Sequence, residues 1–302
     1  MIKLIKLGLI GTSEGNGHPY SWSAIFNGYS HKKMENCGFP VIPRYLEKQP
    51  WPSSKIEIAT VSCIWTQEES ISRKIADTVY IDKVCESLQE MAKEVDGVLL
   101  ARDDSENHFI HAVPFLEKGI PIYIDKPLST EVINAKRILS KQCWNGQVFS
   151  CSAMRYDKDI NISQYLETQK VVKIIAKTPR SWEKYAIHCI DPIISSCSGE
   201  LEVLSSKRHQ VDDVISTNFY CKHKDRNIYI EVSACGDQQI PISFMLFSEY
   251  DDPICQLYHK DTFNSFRNAL KIFVSETCLQ KKSAISVDQM LKSVEMIERG
   301  LS

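Results

Sequence analysis

The sequence predicts an α/β domain with a doubly wound parallel sheet, followed by an α+β domain with an open, mostly antiparallel sheet. Short apolar runs alternate with helical patterns through the first half, which is typical of βαβ units. In the second half, strand-like runs follow one another without long helices between the later ones. The alternation of strand-like and helical segments ends near residue 155. A chain of 302 residues is long enough for two domains, each with its own hydrophobic core. We therefore predict a Rossmann domain over residues 1–154 and a second domain over residues 155–302.

The elements of the first domain are predicted from apolar runs that end in turn residues and from helical stretches between them. Gly28 and Gly119 stand where two of these helices would stop. The predicted strands span residues 3–11, 55–65, 96–101, 121–126 and 147–154. The predicted helices span residues 19–28, 67–77, 82–94, 106–119 and 130–142.

Residues 29–54 interrupt this alternation. Four prolines and little periodicity indicate an ordered excursion between the first helix and the second strand. Long loops in compact domains are often functional. A surface elaboration that only packs explains the pattern equally well, and the sequence leaves both readings open.

The second domain is predicted to begin with a helix and to continue as a sheet. The helix spans residues 159–168, and the strands span residues 170–178, 201–210, 213–221, 227–236, 241–250 and 253–260. Two helices, at residues 263–277 and 287–301, close the chain. Because so few helices cannot cover both faces of this sheet, we expect a homo-oligomer that forms through it.

Composition excludes several classes of protein. The formal net charge of −2 offers no basic surplus for a nucleic-acid backbone. No segment approaches the ~20 apolar residues that cross a bilayer, and the apolar N-terminal run leads into a glycine-rich turn, not a signal-peptide cleavage site. The eleven cysteines are scattered, with no C-x-x-C pair, which argues against a zinc site. Scattered free cysteines fit a reducing cytoplasm, where we expect the protein.

A glycine-rich turn, GLIGTSEGNGHPYSW, follows the first predicted strand. Such a turn lets a pyrophosphate approach backbone N–H groups at a helix N-terminus. The spacing departs from G-x-G-x-x-G, because two of the later glycines are out of register. The position after a first strand still predicts that Gly11, Thr12, Ser13 and Asn16 bind a dinucleotide.

The end of the second predicted strand usually provides the acidic residue that contacts the cofactor ribose. This chain has Trp65 and Thr66 there. Trp65 could stack on the adenosine, although a tryptophan at a strand end is at least as often part of the core. No arginine follows directly to meet a 2′-phosphate, and Arg73 comes a turn or two later. The pattern favours NAD and leaves NADP possible.

The segment VDGVLLARDDSENHFIHAVPFLEKGIPIYIDKPLS holds a strand, a loop with a histidine, a helix ending in Lys-Gly, a further strand and an Asp-Lys-Pro motif. With three further segments, it resembles the Gfo/Idh/MocA (glucose–fructose oxidoreductase/inositol dehydrogenase) family. SCSAMRY is similar to the family's last Rossmann strand, AIHCID to its H-x-x-D helix start, and SAISVDQMLKSVEMIERGL to its C-terminal helix. The resemblance covers nearly the whole chain.

The resemblance implies roles for individual residues. Lys126 would contact the nicotinamide and hydrogen-bond the reacting oxygen, where a lysine can take part in proton transfer. Asp125 replaces the family's common glutamate. His188 would bind the substrate oxygen and act as acid or base. Asp191 lies one turn later on the same helical face and could orient that imidazole.

One position departs from the family, in which many members have an aspartate four residues before the histidine. This chain has Lys184 there, which we count as a third catalytic candidate. A second cation would disfavour the charged form of Lys126, which still supports general-base chemistry. Alternatively, Glu183 or Tyr185 takes the role through a shifted loop, or catalysis is degraded. The sequence leaves the three alternatives open.

Further candidates lie in loops that the family places beside the nicotinamide and the substrate. Asp104 and His108 follow the strand at 96–101, where the neighbouring Arg102 is unusual for the family. Arg155 and Tyr156 leave the last Rossmann strand, where the family binds substrate hydroxyls.

The resemblance as a whole implies an NAD(P)-dependent oxidoreductase. It would transfer a hydride between the nicotinamide and a hydroxyl or ketone of a sugar, polyol or nucleotide sugar. It would also form a homodimer or homotetramer. The rival interpretation is a dinucleotide- or sugar-binding sensor or structural subunit that has lost turnover. The irregular glycine turn and Lys184 motivate that rival.

Overall fold

The computed structural model describes residues 4–198, 200–249 and 253–302, which form two compact units. The first unit comprises the chain up to Asp125 together with Lys136–Ser150 and Phe266–Ser286. The second unit comprises Lys126–Ala135, Cys151–Ser265 and Val287–Ser302. The single boundary at residue 154 stays a prediction. Two ends of predicted strands, Lys3 and Tyr250, lie outside the described residues.

Six parallel strands form the sheet of the first unit, in the order β3-β2-β1-β4-β5-β6. This is the doubly wound order of a Rossmann fold, so the predicted fold class is confirmed. The residues of β4 and β5 are apolar and buried throughout, as expected for a sheet covered on both faces. The strands are β1 (Ile5–Ile10), β2 (Ala59–Trp65), β3 (Lys83–Val84), β4 (Gly97–Leu100), β5 (Ile122–Ile124) and β6 (Val148–Phe149).

Helices connect these strands, and Gly28 and Gly119 both adopt positive φ at predicted helix ends, with values of 81° and 70°. The helices as far as α7 are α1 (His18–Asn27), α2 (His31–Met34), α3 (Val41–Leu46), α4 (Glu69–Val79), α5 (Leu88–Met91), α6 (His108–Leu116) and α7 (Val132–Leu139).

Two predicted elements of this unit are wrong. The helix predicted over residues 82–94 is replaced by β3 and the short α5. Lys83 pairs with Cys63 of β2, and the Ser87 side chain caps α5 by accepting a hydrogen bond from the Glu90 N–H at 3.1 Å. The strand predicted over residues 147–154 ends at Phe149, because Ser152 begins a 3₁₀ turn (Ala153–Tyr156).

The excursion over residues 29–54 is ordered, as predicted, and contains α2 and α3. It packs on the glycine-rich turn: a Cβ at Gly17 would lie 2.5 Å from Ile42 Cδ1 and 2.8 Å from Phe39 Cγ. The predicted second strand begins at Ala59 and not at residue 55, since the Lys55 N–H donates back to the Pro52 carbonyl. The excursion therefore fixes the turn that begins α1.

The second unit contains a mixed, mostly antiparallel sheet in the order β12-β11-β7-β10-β9-β8. Only the β7–β10 pair among these neighbours is parallel. Buried and partly exposed residues alternate along β11, as they do when one face of a sheet covers a core. The strands are β7 (Lys173–Thr178), β8 (Leu201–Val211), β9 (Val214–His223), β10 (Arg226–Ala234), β11 (Ser243–Phe247) and β12 (Pro253–Tyr258).

The helices predicted over residues 159–168, 263–277 and 287–301 are present. The remaining helical segments are α8 (Ile162–Thr168), α9 (Trp182–Tyr185), α10 (Ile187–Ser196), α11 (Thr262–Ile272), a π-helical turn (Phe273–Cys278) and α12 (Val287–Arg299). The short α9 was not predicted, and α10 begins where the resemblance implied a helix start. Within the ranges that the structure describes, no helix combines the length and apolar character needed to cross a membrane.

Candidate active site

The glycine-rich turn joins β1 to α1 at the carboxyl edge of the parallel sheet. Gly11 has no room for a side chain, since a Cβ there would lie 2.8 Å from Pro19 Cγ. The Gln67 side chain forms two hydrogen bonds with the backbone of Thr12, the residue after Gly11. The Thr12 N–H donates to Gln67 Oε1 at 2.9 Å, and Gln67 Nε2 donates to the Thr12 carbonyl at 2.8 Å. The backbone of the turn is thus fixed from the end of β2.

Two buried carboxylates hold the side chains of the same turn. Ser13 Oγ donates to Asp103 Oδ1 at 2.7 Å. Asn16 Nδ2 donates to Asp125 Oδ2 at 2.8 Å, and His18 Nδ1 lies 2.7 Å from the same oxygen. A carboxylate oxygen only accepts, so His18 carries its proton on Nδ1. The predicted cofactor residues Ser13 and Asn16 are therefore anchored by the loops that follow β4 and β5.

The end of β2 places Trp65 and Thr66 next to this turn. The half-buried Trp65 ring lies 5.7 Å from the His111 ring, and the Trp65 carbonyl accepts from the Gly11 N–H at 3.2 Å. Thr66 is buried and donates from Oγ1 to the Glu68 carbonyl at 2.6 Å, just before α4 begins. Arg73 pairs with Glu69 on the exposed side of α4.

A buried ion pair follows β4. Arg102 Nε donates to Asp104 Oδ1 at 2.9 Å, and Asn107 Nδ2 donates to Asp104 Oδ2 at 2.7 Å. Burial by itself raises the pKa of Asp104, but the hydrogen bonds from Arg102 and Asn107 outweigh it and bring that pKa below its ordinary value. Among the described residues, the buried Arg102 Nη1 has no hydrogen-bond partner. His108 is fully buried and donates from Nε2 to the Arg102 carbonyl at 2.8 Å.

In the second unit, Lys126, Tyr185 and His188 form one group. Lys126 follows β5 in the chain and is 6% exposed. Its Nζ lies 5.5 Å from the centre of the Tyr185 ring. The His188 ring meets the same tyrosine edge to face, with centroids 5.3 Å apart. Two of the three predicted catalytic residues thus contact one aromatic ring on α9.

Ser152 holds the imidazole of His188. Ser152 Oγ lies 2.8 Å from His188 Nδ1 and accepts a further hydrogen bond from the Met154 N–H at 3.1 Å. Ser152 in turn donates from its N–H to Asp191 Oδ2 at 3.0 Å. A direct role of Asp191 in orienting the imidazole stays a prediction.

Asp191 forms a buried ion pair with Arg155, and the two side chains are 2% and 5% exposed. Arg155 Nη2 and Nε donate to the two carboxylate oxygens at 2.6 Å and 3.1 Å. The third guanidinium nitrogen, Nη1, donates to Gln289 Oε1 at 3.0 Å, and Asp191 also accepts from Ser293. Burial works against the charged guanidinium, but the carboxylate outweighs it and raises the pKa of Arg155. Substrate binding by Arg155 and Asp191 stays a prediction.

The other predicted residues occupy less buried positions. Lys184 is half-exposed on α9, one residue before Tyr185, and Tyr156 is half-buried at the end of the 3₁₀ turn. Among the described residues, no group of three or more His, Cys, Asp or Glu side chains is placed to hold a metal ion.

Sequence reasoning missed several contacts because their partners are distant in the chain. Gln67 reaches Thr12 across 55 residues, and Ser152 reaches His188 across 36 residues. A hydroxyl at the end of the last Rossmann strand is the one local signal that could have indicated Ser152. Tyr185 is one of the alternatives to the family's aspartate, and its ring lies against Lys126 and His188.

Comparisons with known proteins agree with this architecture. Residues 37–151 match the model of the "Oxidoreductase family, NAD-binding Rossmann fold". No curated protein sequence matches the chain.

Among solved structures, apo scyllo-inositol dehydrogenase from Lactobacillus casei superposes with a TM-score of 0.73 at 11% identity, covering 99% of this chain and 96% of that chain. Myo-inositol 2-dehydrogenase from Lactobacillus plantarum gives 0.72 at 9% identity, covering 98% and 96%. Myo-inositol dehydrogenase from Lactobacillus casei, in complex with NAD(H) and myo-inositol, gives 0.69 at 15% identity, covering 96% and 92%. The predicted resemblance is confirmed: the chain has the two-domain fold of the Gfo/Idh/MocA oxidoreductases, and its residues 37–151 match that family's NAD-binding Rossmann domain.

Proposed function

We propose that this protein is an NAD-dependent dehydrogenase that acts on a CH–OH group of a sugar, a polyol or a nucleotide sugar. The main observation in support of the proposal is the group formed by Lys126, Tyr185 and His188. In this group the Lys126 ammonium and the His188 imidazole both contact the Tyr185 ring. The structural likeness to a myo-inositol dehydrogenase in complex with NAD(H) and myo-inositol supports the substrate class.

The first unit fits a dinucleotide at the turn between β1 and α1. Gly15 has a φ of 76°, and nothing lies within 4 Å of the position that its Cβ would take. The ten-residue α1 has no acidic side chain of its own in its first turn, and the backbone N–H groups at a helix N-terminus suit a pyrophosphate. Arg102 Nη1, which is buried and has no partner among the described residues, is a donor for a cofactor acceptor.

The side chains after β2 favour NAD over NADP. A 2′-phosphate needs a cation near the end of β2. Arg73, the nearest arginine along the chain, is paired with Glu69. Both polar groups of Gln67 are hydrogen-bonded to Thr12. Neither side chain is available to a phosphate without losing these contacts.

When bound, the nicotinamide accepts or supplies the hydride. The chain itself would position the substrate and move the proton. Lys126 would bind the reacting oxygen through Nζ and take or return its proton. His188 would donate to or accept from the substrate through Nε2, while Ser152 holds Nδ1 and so fixes the ring.

We also propose a homodimer or homotetramer in the cytoplasm. Tyr220 of β9 pairs with Tyr229 of β10, and Tyr229 pairs with Lys173 of β7, whose Nζ lies 5.1 Å from the Phe247 ring. This row of partly exposed side chains on one face of the sheet is suited to a subunit interface. The cysteines are all free, and burial raises the pKa of Cys278 to about 12, as suits a reducing compartment.

The test is a titration of NADH and NADPH by calorimetry, beside a scan for absorbance change at 340 nm with sugars, polyols and nucleotide sugars. We expect tighter binding of NADH than of NADPH and turnover of at least one substrate. Binding of NADH without turnover across the panel would favour a sensor or structural subunit. Absence of binding for both cofactors at millimolar concentration would contradict the proposal.

A further inference from the structure

A second cation meets the ring that Lys126 contacts. The guanidinium carbon of Arg180 lies 5.3 Å from the centre of the Tyr185 ring, and Lys126 Nζ lies 5.5 Å from the same point. Arg180 is exposed, whereas Lys126 is buried. The Tyr185 ring is therefore in contact with one buried cation, Lys126, and with one cation that solvent and solutes can reach, Arg180.

The backbone holds Arg180 in a conformation that arginine rarely adopts. Its φ is 65°, in the left-handed region. The Arg180 N–H donates to the Gly236 carbonyl at 2.6 Å, and the Gly236 N–H donates back at 3.2 Å. Gly236 is itself at φ 56°, and a Cβ there would lie 1.7 Å from Asp213 Oδ2. Strained residues that their surroundings hold in place are concentrated at ligand sites, so this arrangement fixes where the guanidinium begins.

Two cations, Lys126 and Arg180, contact the Tyr185 ring. Among the described residues, no carboxylate forms an ion pair with the Arg180 guanidinium within 4.0 Å. Lys184 adds a cation on the same helix, where Glu183 is the one acidic residue. The nearest acid on α10, Asp191, is neutralised by Arg155. The exposed Arg180 guanidinium can therefore pair with an anionic group of a ligand, which a neutral polyol does not offer.

We propose that the substrate of this enzyme carries an anionic group, a carboxylate or a phosphate, and that Arg180 binds it beside the hydroxyl held by Lys126. This inference rests on the proposed function and names its substrate class. The planar guanidinium offers paired N–H donors that match both anions, and its bond to either would be charge-assisted. A lysine at position 184 in place of the family's usual aspartate suits the same substrate, because an aspartate would repel it.

The test compares matched pairs of compounds: myo-inositol with inositol 1-phosphate, and glucose with glucuronate. Each is assayed with NAD for kcat and KM, and its binding to the NADH-loaded protein is measured by calorimetry. We expect an anionic member to exceed its neutral partner in kcat/KM by roughly 10-fold or more, the scale of one charge-assisted hydrogen bond. The two pairs separate the two sources of charge, since one adds a phosphate and the other a carboxylate.

Variants then assign the effect to Arg180. R180Q should remove most of the preference for the anion by raising the KM of the anionic compound, so that kcat/KM becomes similar for the two members of a pair. R180K, which keeps the charge, should retain part of the preference. R44Q is the matched control, because Arg44 is an exposed arginine on α3, and it should change nothing. Thermal unfolding of each variant checks that the fold is intact.

The outcomes distinguish this inference from the function on which it rests. Turnover of neutral compounds equal to that of their anionic partners, or an anion preference that R180Q leaves intact, would overturn the inference alone. Failure of all four compounds to bind or react, with NADH bound, would count against both the inference and the proposed substrate class. Failure of NADH to bind would contradict the proposed function itself, and with it the inference that rests on that function.

Discussion

The Lys126 ammonium lies 5.5 Å from the centre of the Tyr185 ring, and the His188 ring lies 5.3 Å from that same centre. Tyr185 is on α9, which is anchored by the buried Trp182, whose Nε1 donates to the Ile297 carbonyl at 2.9 Å. One aromatic side chain thus contacts Lys126 and His188, and Ser152 contacts His188 Nδ1 as well. We regard Tyr185 as a positioning residue, and its ring, not its hydroxyl, makes these contacts.

The role of the ring predicts different results for two substitutions of Tyr185. Tyr185→Phe keeps the ring and should keep kcat within about threefold of wild type. Tyr185→Leu removes the cation–π contact and should lower kcat by roughly 10-fold, the scale of a partly desolvated cation–π interaction. Steady-state kinetics measure both effects, with NADH affinity as the control that should not change. Equal losses in the two variants would point to the hydroxyl and contradict a role for the ring.

The buried ion pair of Arg155 and Asp191 predicts a large effect on stability. Asp191→Ala leaves a guanidinium that is 5% exposed without its carboxylate. The free energy of unfolding should fall by about 3–5 kcal/mol, because an unpaired buried charge is costly. Urea unfolding followed by circular dichroism measures the loss.

Ser293→Ala is the matched control for that experiment. It removes a 3.3 Å contact to Asp191 and a 3.1 Å contact to the Gln289 carbonyl, and leaves the charge pair intact, so it should cost about 1 kcal/mol. Replacing the pair together, as Arg155→Met with Asp191→Leu, should recover much of the stability lost in Asp191→Ala. If the single and double replacements are equally unstable, the unpaired charge is not the cause.

The lowered pKa of Asp104 predicts how stability depends on pH. A carboxylate whose pKa is lower in the folded state stabilises the fold above its unfolded pKa of about 3.9, and loses that contribution as pH falls through the folded value. Asp104→Asn should therefore cost about 2 kcal/mol near neutral pH. Its deficit relative to wild type should shrink below about pH 4. Unfolding by urea at pH 7, 5 and 3 tests this, and a deficit constant across all three would argue against the pairing with Arg102.

The sequence predicted those parts of the fold and site that depend on local pattern. The apolar runs predicted where the main strands lie along the chain. The turn after β1, the Asp-Lys-Pro motif and the H-x-x-D motif could each be recognised from neighbouring residues alone. Residues 82–94 were predicted as one helix because their pattern is helical; the edge pairing of Lys83 with β2 overrides it. Ser152 and Gln67 act through partners 36 and 55 residues away in the chain, so a local pattern could indicate at most the Ser152 hydroxyl and not the residue that it contacts.

The exposed face of the second sheet predicts an oligomer. Tyr220 is 44% exposed, and it stands in the row with Tyr229 and Phe247. Light scattering at micromolar concentration should give at least twice the 34.5 kDa mass of the chain. Tyr220→Glu combined with Tyr229→Glu should shift the mass towards the monomer, because two charges would then be buried at the interface. A measured mass of 34.5 kDa for the wild-type protein would contradict the prediction of an oligomer.

The last prediction concerns Lys126, on which the enzymatic proposal depends. Lys126→Met keeps an unbranched side chain of similar length but removes the ammonium and its contact with the Tyr185 ring. If Lys126 stabilises or transfers the proton of the reacting oxygen, kcat should fall by roughly 100-fold or more, while NADH affinity stays nearly unchanged. His188→Ala should have a comparable or milder effect, because part of its role is orientation. Lys184→Asp restores the family's usual residue: it should raise activity if Lys184 marks decay, and lower it if Lys184 tunes Lys126. Stopped-flow and steady-state assays on an established substrate measure these changes, and wild-type turnover by Lys126→Met would refute the mechanism whatever the fold.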